Sequence, residues 1–494
     1  MDWVRRAWQP VTWYALALMT LGLFLILMRW QPVLAGLLAV AVLGAGVVTY
    51  LRDVVRRAYL VLLGIGLLGY AVAGRGFAYL GFPPFFVGEL LLVLGVTVLV
   101  ARGHVGGLLR QPLVWALLLF MSVGAAATVP HLGEHGVDAL RDAAQWGYGA
   151  FALIVAGLVH DMRSIERVVH WYRRAVPWLL AGPLIAFLLI MAFGDQLPRW
   201  PGSEMPVVTF KGGDVAVHLA GVLGFVVLGL HRSFGAPRRA LALASEWRWW
   251  LLWLAALVTT LTVRASFVTL AVTAGLLFLL RPTGRWWRLL VAGAVLFTVA
   301  AALDIEVTVG RAERPVSAAG LVTMARSIVE PVEAGVFDGT RRWRLQWWND
   351  ILDYTLRGDY FWTGKGFGIN LADDDGYQVM SDGSLRSPHN GHLTLLARSG
   401  VPGIATWLLL LGATAFALLR AFRRRMAEGR KDWALLNLWL LAYLLAFVTN
   451  AAFDVYLEGP MGGIWFWSVF GVALAALRMQ HRPIAASDER RLTR

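Results

Sequence analysis

His389 is the residue best suited to move a proton in this chain. It stands in Ser387-Pro388-His389-Asn390-Gly391-His392. An imidazole, with an ordinary pKa of about 6.5, can take a proton from a hydroxyl near neutral pH. The alternative is a helix-start residue that makes only local hydrogen bonds. Behind it, Leu393, Leu396 and Ala397 suit a short helix ending at Gly400, and the i+3 spacing would put His392 on the same helical face. A metal pair would need further ligands than this spacing offers.

Three cationic positions have the chemistry to hold an anion. Arg264 lies in Leu261-Thr-Val-Arg-Ala-Ser266, between two apolar runs with almost no loop. There a guanidinium either snorkels to the interface or faces a polar cavity, where its fork matches phosphate oxygens. Arg344 stands beside Arg341 and Arg342, and with Trp347 and Trp348 it falls at i, i+3 and i+4, one face of a helix. The alternative is a solvated basic turn over packed aromatics. Lys211, in Lys211-Gly-Gly-Asp214, enters an apolar run that also carries His218. Gly364-Lys-Gly-Phe-Gly368 either presents backbone N–H groups to an anion or forms a tight loop. It lacks the strand–turn–helix context of a dinucleotide fingerprint. Asp373-Asp-Asp375 is read as a solvated loop or, less simply, a metal site.

The elements that must position these residues are membrane spans. Of 494 residues, 58% are hydrophobic and only 15% charged, whereas soluble domains carry roughly 25% charge. Apolar runs fall at about 12–28, 32–50, 58–74, 85–101, 112–129, 140–159, 175–193, 214–230, 248–263, 265–281, 286–303, 400–420, 433–450 and 460–477. The expectation is an all-α polytopic membrane protein of about fourteen spans (twelve to fourteen). It divides into a bundle over 1–303, a large, mainly helical external loop over 304–399, and C-terminal spans with a basic tail over 400–494. The net charge of +14 collects in alternate short loops, a topology signal that disfavours nucleic-acid binding. Both termini are then expected in the cytoplasm. His389, Lys211, Arg264 and Arg344 are expected on the opposite side, where cations are otherwise scarce. There is no cysteine, which excludes disulfides, thiolate metal sites and a cysteine nucleophile. No cleavable leader is evident.

In Arg344-xx-Trp347, Gly364-x-Gly366-x-Gly368, His389-Asn390-xx-Leu393 and Gly400-Val-Pro-Gly403, the sequence resembles the O-antigen ligase/polymerase superfamily of bacterial membrane glycosyltransferases. These motifs cover about 340–405; the N-terminal part fits in layout only. The resemblance implies a GT-C-like protein of the bacterial inner membrane that moves a glycan from undecaprenyl diphosphate to an acceptor sugar hydroxyl, with no metal, cofactor or nucleotide sugar. It implies His389 as the catalytic base, with Arg264, Arg344, Arg341 and Lys211 as donor-binding groups. His392, Asn390, Asp214, Trp347 and Gly366 are expected at the acceptor or in support of the site. The family's earlier outer-loop arginine has no clear counterpart; Lys211 and Asp214 occupy that place. Ligation to lipid A–core is the leading expectation, and repeat-unit polymerisation is the alternative. A lipid or polysaccharide transporter, with Glu89 as its intramembrane carboxylate, is the rival from another class.

Overall fold

A computed structural model describes residues 52–82, 85–101, 105–201, 203–234, 243–261, 263–281, 285–302, 307–309, 314–316 and 336–480. The runs at about 12–28 and 32–50, the basic C-terminal tail and most of 303–335 lie outside these residues, as does the side chain of Arg341. The longer helices are α1 (Arg52–Ala73), α2 (Val87–Ala101), α3 (Pro112–Thr128), α4 (Gly149–Leu158), α5 (Met162–Phe193), α6 (Gly212–Val227), α7 (Leu243–Leu257), α8 (Arg264–Leu280), α9 (Arg285–Ala302), α10 (Val336–Leu356), α11 (Gly391–Ala427), α12 (Lys431–Ala451) and α13 (Pro460–Gln480). Among the described residues, six helices are long and apolar enough to cross a membrane: Val54–Ala73, Pro112–His135, Met162–Phe193, Gly391–Ala427, Lys431–Ala451 and Pro460–Gln480. α2, α4, α6 and α8 are apolar but shorter. Two antiparallel strand pairs, Gly81–Phe82 with Phe85–Phe86 and Val307–Val309 with Arg314–Val316, interrupt the helical plan.

Two expected spans are differently built. The run at 140–159 is broken into Val137–Asp142, Ala144–Gly147 and α4. Ala143 (ψ −15°) and Tyr148 (ψ −10°) tighten the backbone there, where the Trp146 and Phe151 N–H groups reach back three residues to the Ala143 and Tyr148 carbonyls. Arg163, Arg167, Arg173 and Arg174, expected in a loop, lie inside α5. That helix has 32 residues, about 48 Å at 1.5 Å per residue, more than a hydrocarbon core of about 30 Å requires. Asp161 starts it by accepting from the Ser164 N–H at 2.6 Å.

The core forms where α4 packs on α13, α6 on α8 and α12, and α11 on α3 and α12. Its centre is aromatic: Tyr172, Phe225, Trp439, Tyr443, Trp465 and Phe466 are buried together. His218 belongs to this core. One ring nitrogen meets the Tyr443 hydroxyl at 2.8 Å and the other the Tyr456 hydroxyl at 2.9 Å, so its hydrogen-bonding capacity is satisfied internally. Glu89 likewise accepts from Tyr148 at 2.9 Å.

The loops separate by end. At one end Arg56 donates to His160 at 2.9 Å, and the Phe234 N–H bonds Asp432 at 3.2 Å. At the other the Arg75 N–H bonds the Thr209 carbonyl at 2.7 Å, and Lys211 pairs with Asp454. A smaller apolar cluster of Trp347, Ile351, Leu371, Leu385, Leu396 and Ala397 joins α10 to the first turns of α11. The polar segment thus has a core of its own, seated on the helix that carries the histidine motif.

Candidate active site

α11 is two helices in sequence, as the short helix ending at Gly400 predicts. Asn390 caps the first, accepting from the His392 and Leu393 N–H groups at 3.1 and 3.2 Å. Such a cap contributes about 1 kcal/mol. Gly400, at φ 60° and ψ −163°, breaks the ladder. A Cβ there would lie 2.5 Å from the Phe361 carbonyl oxygen, so only glycine permits this approach. The Val401 N–H then bonds that carbonyl at 2.8 Å.

His389 lies outside this helix. Its φ is 54°, left-handed for a residue with a side chain. Such strain persists only where surrounding contacts impose it, and it is concentrated at functional sites. Here the Trp348 indole donates to the Pro388 carbonyl at 2.8 Å, and Gln145 donates to the Gly391 carbonyl at 2.7 Å. The expected shared face with His392 is therefore absent, because the positive φ breaks the helical phase. His392 turns into the bundle instead. The Trp407 indole donates to its Nδ1 at 3.1 Å, and its Nε2 meets the Val448 carbonyl at 3.0 Å. Both nitrogens are engaged, which makes His392 a neutral support for the start of α11.

Facing His389 is Asp454, in the loop between α12 and α13. His389 Nδ1 stands 3.9 Å from Asp454 Oδ1, and Lys211 Nζ lies 2.8 Å from the same oxygen. Burial by itself would raise the Asp454 pKa, but His389 and Lys211 hold it well below the ordinary carboxylate range. An ionised acid beside Nδ1 leaves Nε2 as the ring atom open to a substrate. Asp214, one turn into α6, is buried, and its Oδ1 has no hydrogen-bond partner. Nothing in the sequence pattern singled out Asp454. It follows an apolar run like the others and becomes informative only when α12 and α13 fold it onto Lys211.

The guanidinium groups complete the arrangement. Arg264 is the first residue of α8. Arg344 is half-buried on α10, and its Nε is buried with no hydrogen-bond partner. Burial pushes the Arg344 pKa down, Asp454 partly restores it, and the nearby Arg264 charge lowers it further. Two like charges held together while one is desolvated form an environment that an anion would relieve.

Trp347 and Gly366 take structural positions. Trp347 is fully buried, donates to Asp375 at 2.5 Å and stacks on Tyr377. The glycine loop is a latch: the Lys365 N–H bonds the Ala397 carbonyl at 2.7 Å, the Gly366 N–H bonds Arg398 at 2.9 Å, and the Gly368 N–H meets Asp142 at 3.2 Å. Arg398 and Arg386 both pair with Asp142, at 2.9 and 3.0 Å. These N–H groups are already used, so the loop does not offer an anion nest. The aspartate run is likewise committed, since Lys365 pairs with Asp374 at 2.6 Å and also with Asp375.

The curated proteins searched contain no match to the chain. Residues 249–408 match the family described as O-antigen ligase, a span that contains Arg264, Arg344 and His389. That stretch is therefore similar to the O-antigen ligase family domain, in a chain whose described residues include six helices long and apolar enough to cross a membrane.

Proposed function

We propose that this protein transfers a glycan from undecaprenyl diphosphate to a sugar hydroxyl, in the manner of an O-antigen ligase, at a site on the external face of the bacterial inner membrane. The observation that carries this reading is the like-charged pair Arg264 and Arg344, with Arg344 Nε buried and unpartnered, close to the strained His389. A diphosphate fits that environment, because its two negative charges would meet two guanidinium groups whose repulsion Asp454 offsets only in part.

In the proposed step the acceptor hydroxyl oxygen attacks the anomeric carbon of the donor glycan. The bond from that carbon to the diphosphate oxygen breaks, and undecaprenyl diphosphate leaves with the bonding electron pair. His389 Nε2 takes the hydroxyl proton. Direct displacement inverts the anomeric centre. Asp454 holds Nδ1 and stabilises the imidazolium that forms, as a carboxylate does for a general base. Arg264 and Arg344 stabilise the charge that grows on the leaving group; removing one such donor typically costs about 3–4 kcal/mol. Lys211 orients Asp454 through the 2.8 Å ion pair and adds a positive charge on the donor side.

The test uses purified protein in lipid nanodiscs with an undecaprenyl-diphosphate-linked glycan, with and without lipid A–core. A shifted lipid A–core band establishes ligation. A ladder of longer lipid-linked glycans that needs no lipid A–core assigns polymerisation instead. His389→Ala should fold and lose transfer by about 10²–10⁴-fold; a fully active variant would overturn the base assignment.

A further inference from the structure

A second cluster of chemical groups lies under the glycine latch and has no part in the transfer step. His131, Glu134 and His135 occupy positions i, i+3 and i+4 at the end of the α3 segment, which runs on as helix to His135. Their donor atoms lie within 4.8 Å of one another. The two imidazoles are nearly parallel, with centroids 5.9 Å apart and planes 14° apart. Among the described residues no side chain hydrogen-bonds either ring; the one polar contact is Glu134 with His135 at 4.0 Å. Two partly buried histidines at i and i+4 with a carboxylate beside them and no competing partners match the donor set of a divalent transition metal.

We propose that His131, Glu134 and His135 bind one divalent transition-metal ion of the zinc type, which staples the end of α3 beneath the external lobe. Tetrahedral coordination at about 2.0–2.1 Å places donor atoms about 3.3–3.5 Å apart. The present arrangement therefore closes by up to about 1.4 Å on binding. Glu134, whose side chain is 77% exposed, is free to make most of that movement. The nitrogen and carboxylate set selects zinc, nickel or copper over magnesium and calcium, which take oxygen ligands.

The position gives the ion its consequence. A Cβ placed on Gly366 would come 2.1 Å from His131 Nε2, and one on Gly368 would come 2.5 Å from His135 Cβ. The latch therefore rests directly on the two imidazoles. Seven residues beyond His135, Asp142 holds Arg386, Arg398 and the Gly368 N–H. Fixing both histidine rings would hold the surface on which the latch closes. The ion is structural in this proposal, away from the reacting atoms.

The experiment uses full-length protein in nanodiscs, with any affinity tag removed and the sample stripped with chelator. Zn²⁺ is added, excess is removed by gel filtration, and bound metal is measured by mass spectrometry. One zinc per chain is expected for the wild type and none for His131→Ala/His135→Ala. Zinc should raise the thermal midpoint of the wild type and leave that of the double variant unchanged. Transfer activity of the double variant well below its midpoint confirms that it folds. His135→Gln, which keeps size and polarity, should also lose the ion. Wild-type protein emerging without zinc, or a double variant that retains it, overturns the proposal.

Discussion

Asp454→Asn removes one charge and keeps the shape of the side chain. In the structure the carboxylate lies 3.9 Å from His389 Nδ1. At an effective dielectric of about 20, a unit pair at that distance attracts by about 4 kcal/mol. Neither side chain is fully enclosed, at 28% and 14% exposed. Solvent screening reduces the attraction to about 2 kcal/mol, or about thirtyfold in rate. That attraction exists only once the imidazole has taken the acceptor proton, so the loss should fall on kcat and leave KM nearly unchanged. The assay is initial-rate transfer in nanodiscs for wild type, Asp454→Asn, His389→Ala and the double variant. If Asp454 acts through His389, adding Asp454→Asn to His389→Ala should cost under about twofold, because the groups form one unit. Lys211 is 47% exposed and will be solvated in the variant, so the thermal midpoint should move little. A full thirtyfold loss in the His389→Ala background would refute the coupling, and so would an Asp454→Asn protein as fast as wild type.

Three further sets of substitutions test the frame around the site. Asp374, 45% exposed, and Asp375, 3% exposed, share Lys365. Asp374→Ala should change stability and activity little, whereas Asp375→Ala leaves Lys365 with the exposed Asp374 alone and takes the acceptor from the buried Trp347 indole, which should cost about 1–3 kcal/mol in chemical unfolding. Gly364→Ala forces a Cβ to within 2.3 Å of the Arg398 carbonyl carbon at a φ of 62°, whereas Gly376→Ala meets only the strain of a φ of 77° in open space. The first should lose about 3 kcal/mol or more and the second about 1 kcal/mol, read as thermal midpoints. Burial raises the Glu458 pKa to about 7, above an unfolded value of about 4.3. The folded state then binds the extra proton, so stability falls as pH rises from about 4.3 to 7 and is flat above. Glu458→Gln should stabilise at pH 8 by up to about 3 kcal/mol and give no gain at pH 4; an equal gain at both pH values would refute the sign.

Much of this protein was written locally. Apolar runs of bilayer length gave most of the described helices, because the length and polarity of a span are properties of contiguous residues. The short helix from Gly391 to Gly400 was legible in its apolar spacing and its terminal glycine, and Arg344 and Trp348 do share a face of α10 because helical periodicity fixes it. The motif set from Arg344 to Gly403 pointed to the family for the same reason. What the sequence could not state was how distant ends meet. Asp454 joins His389 and Lys211 only when α6, α11 and α12 pack side by side. The left-handed turn at His389, which sends His392 into the core, is imposed by contacts from Trp348 and Gln145. The glycine loop became a latch because its N–H groups found carbonyls on α11. Each of these is set by three-dimensional packing between residues far apart in the chain, where spacing along the sequence carries no information.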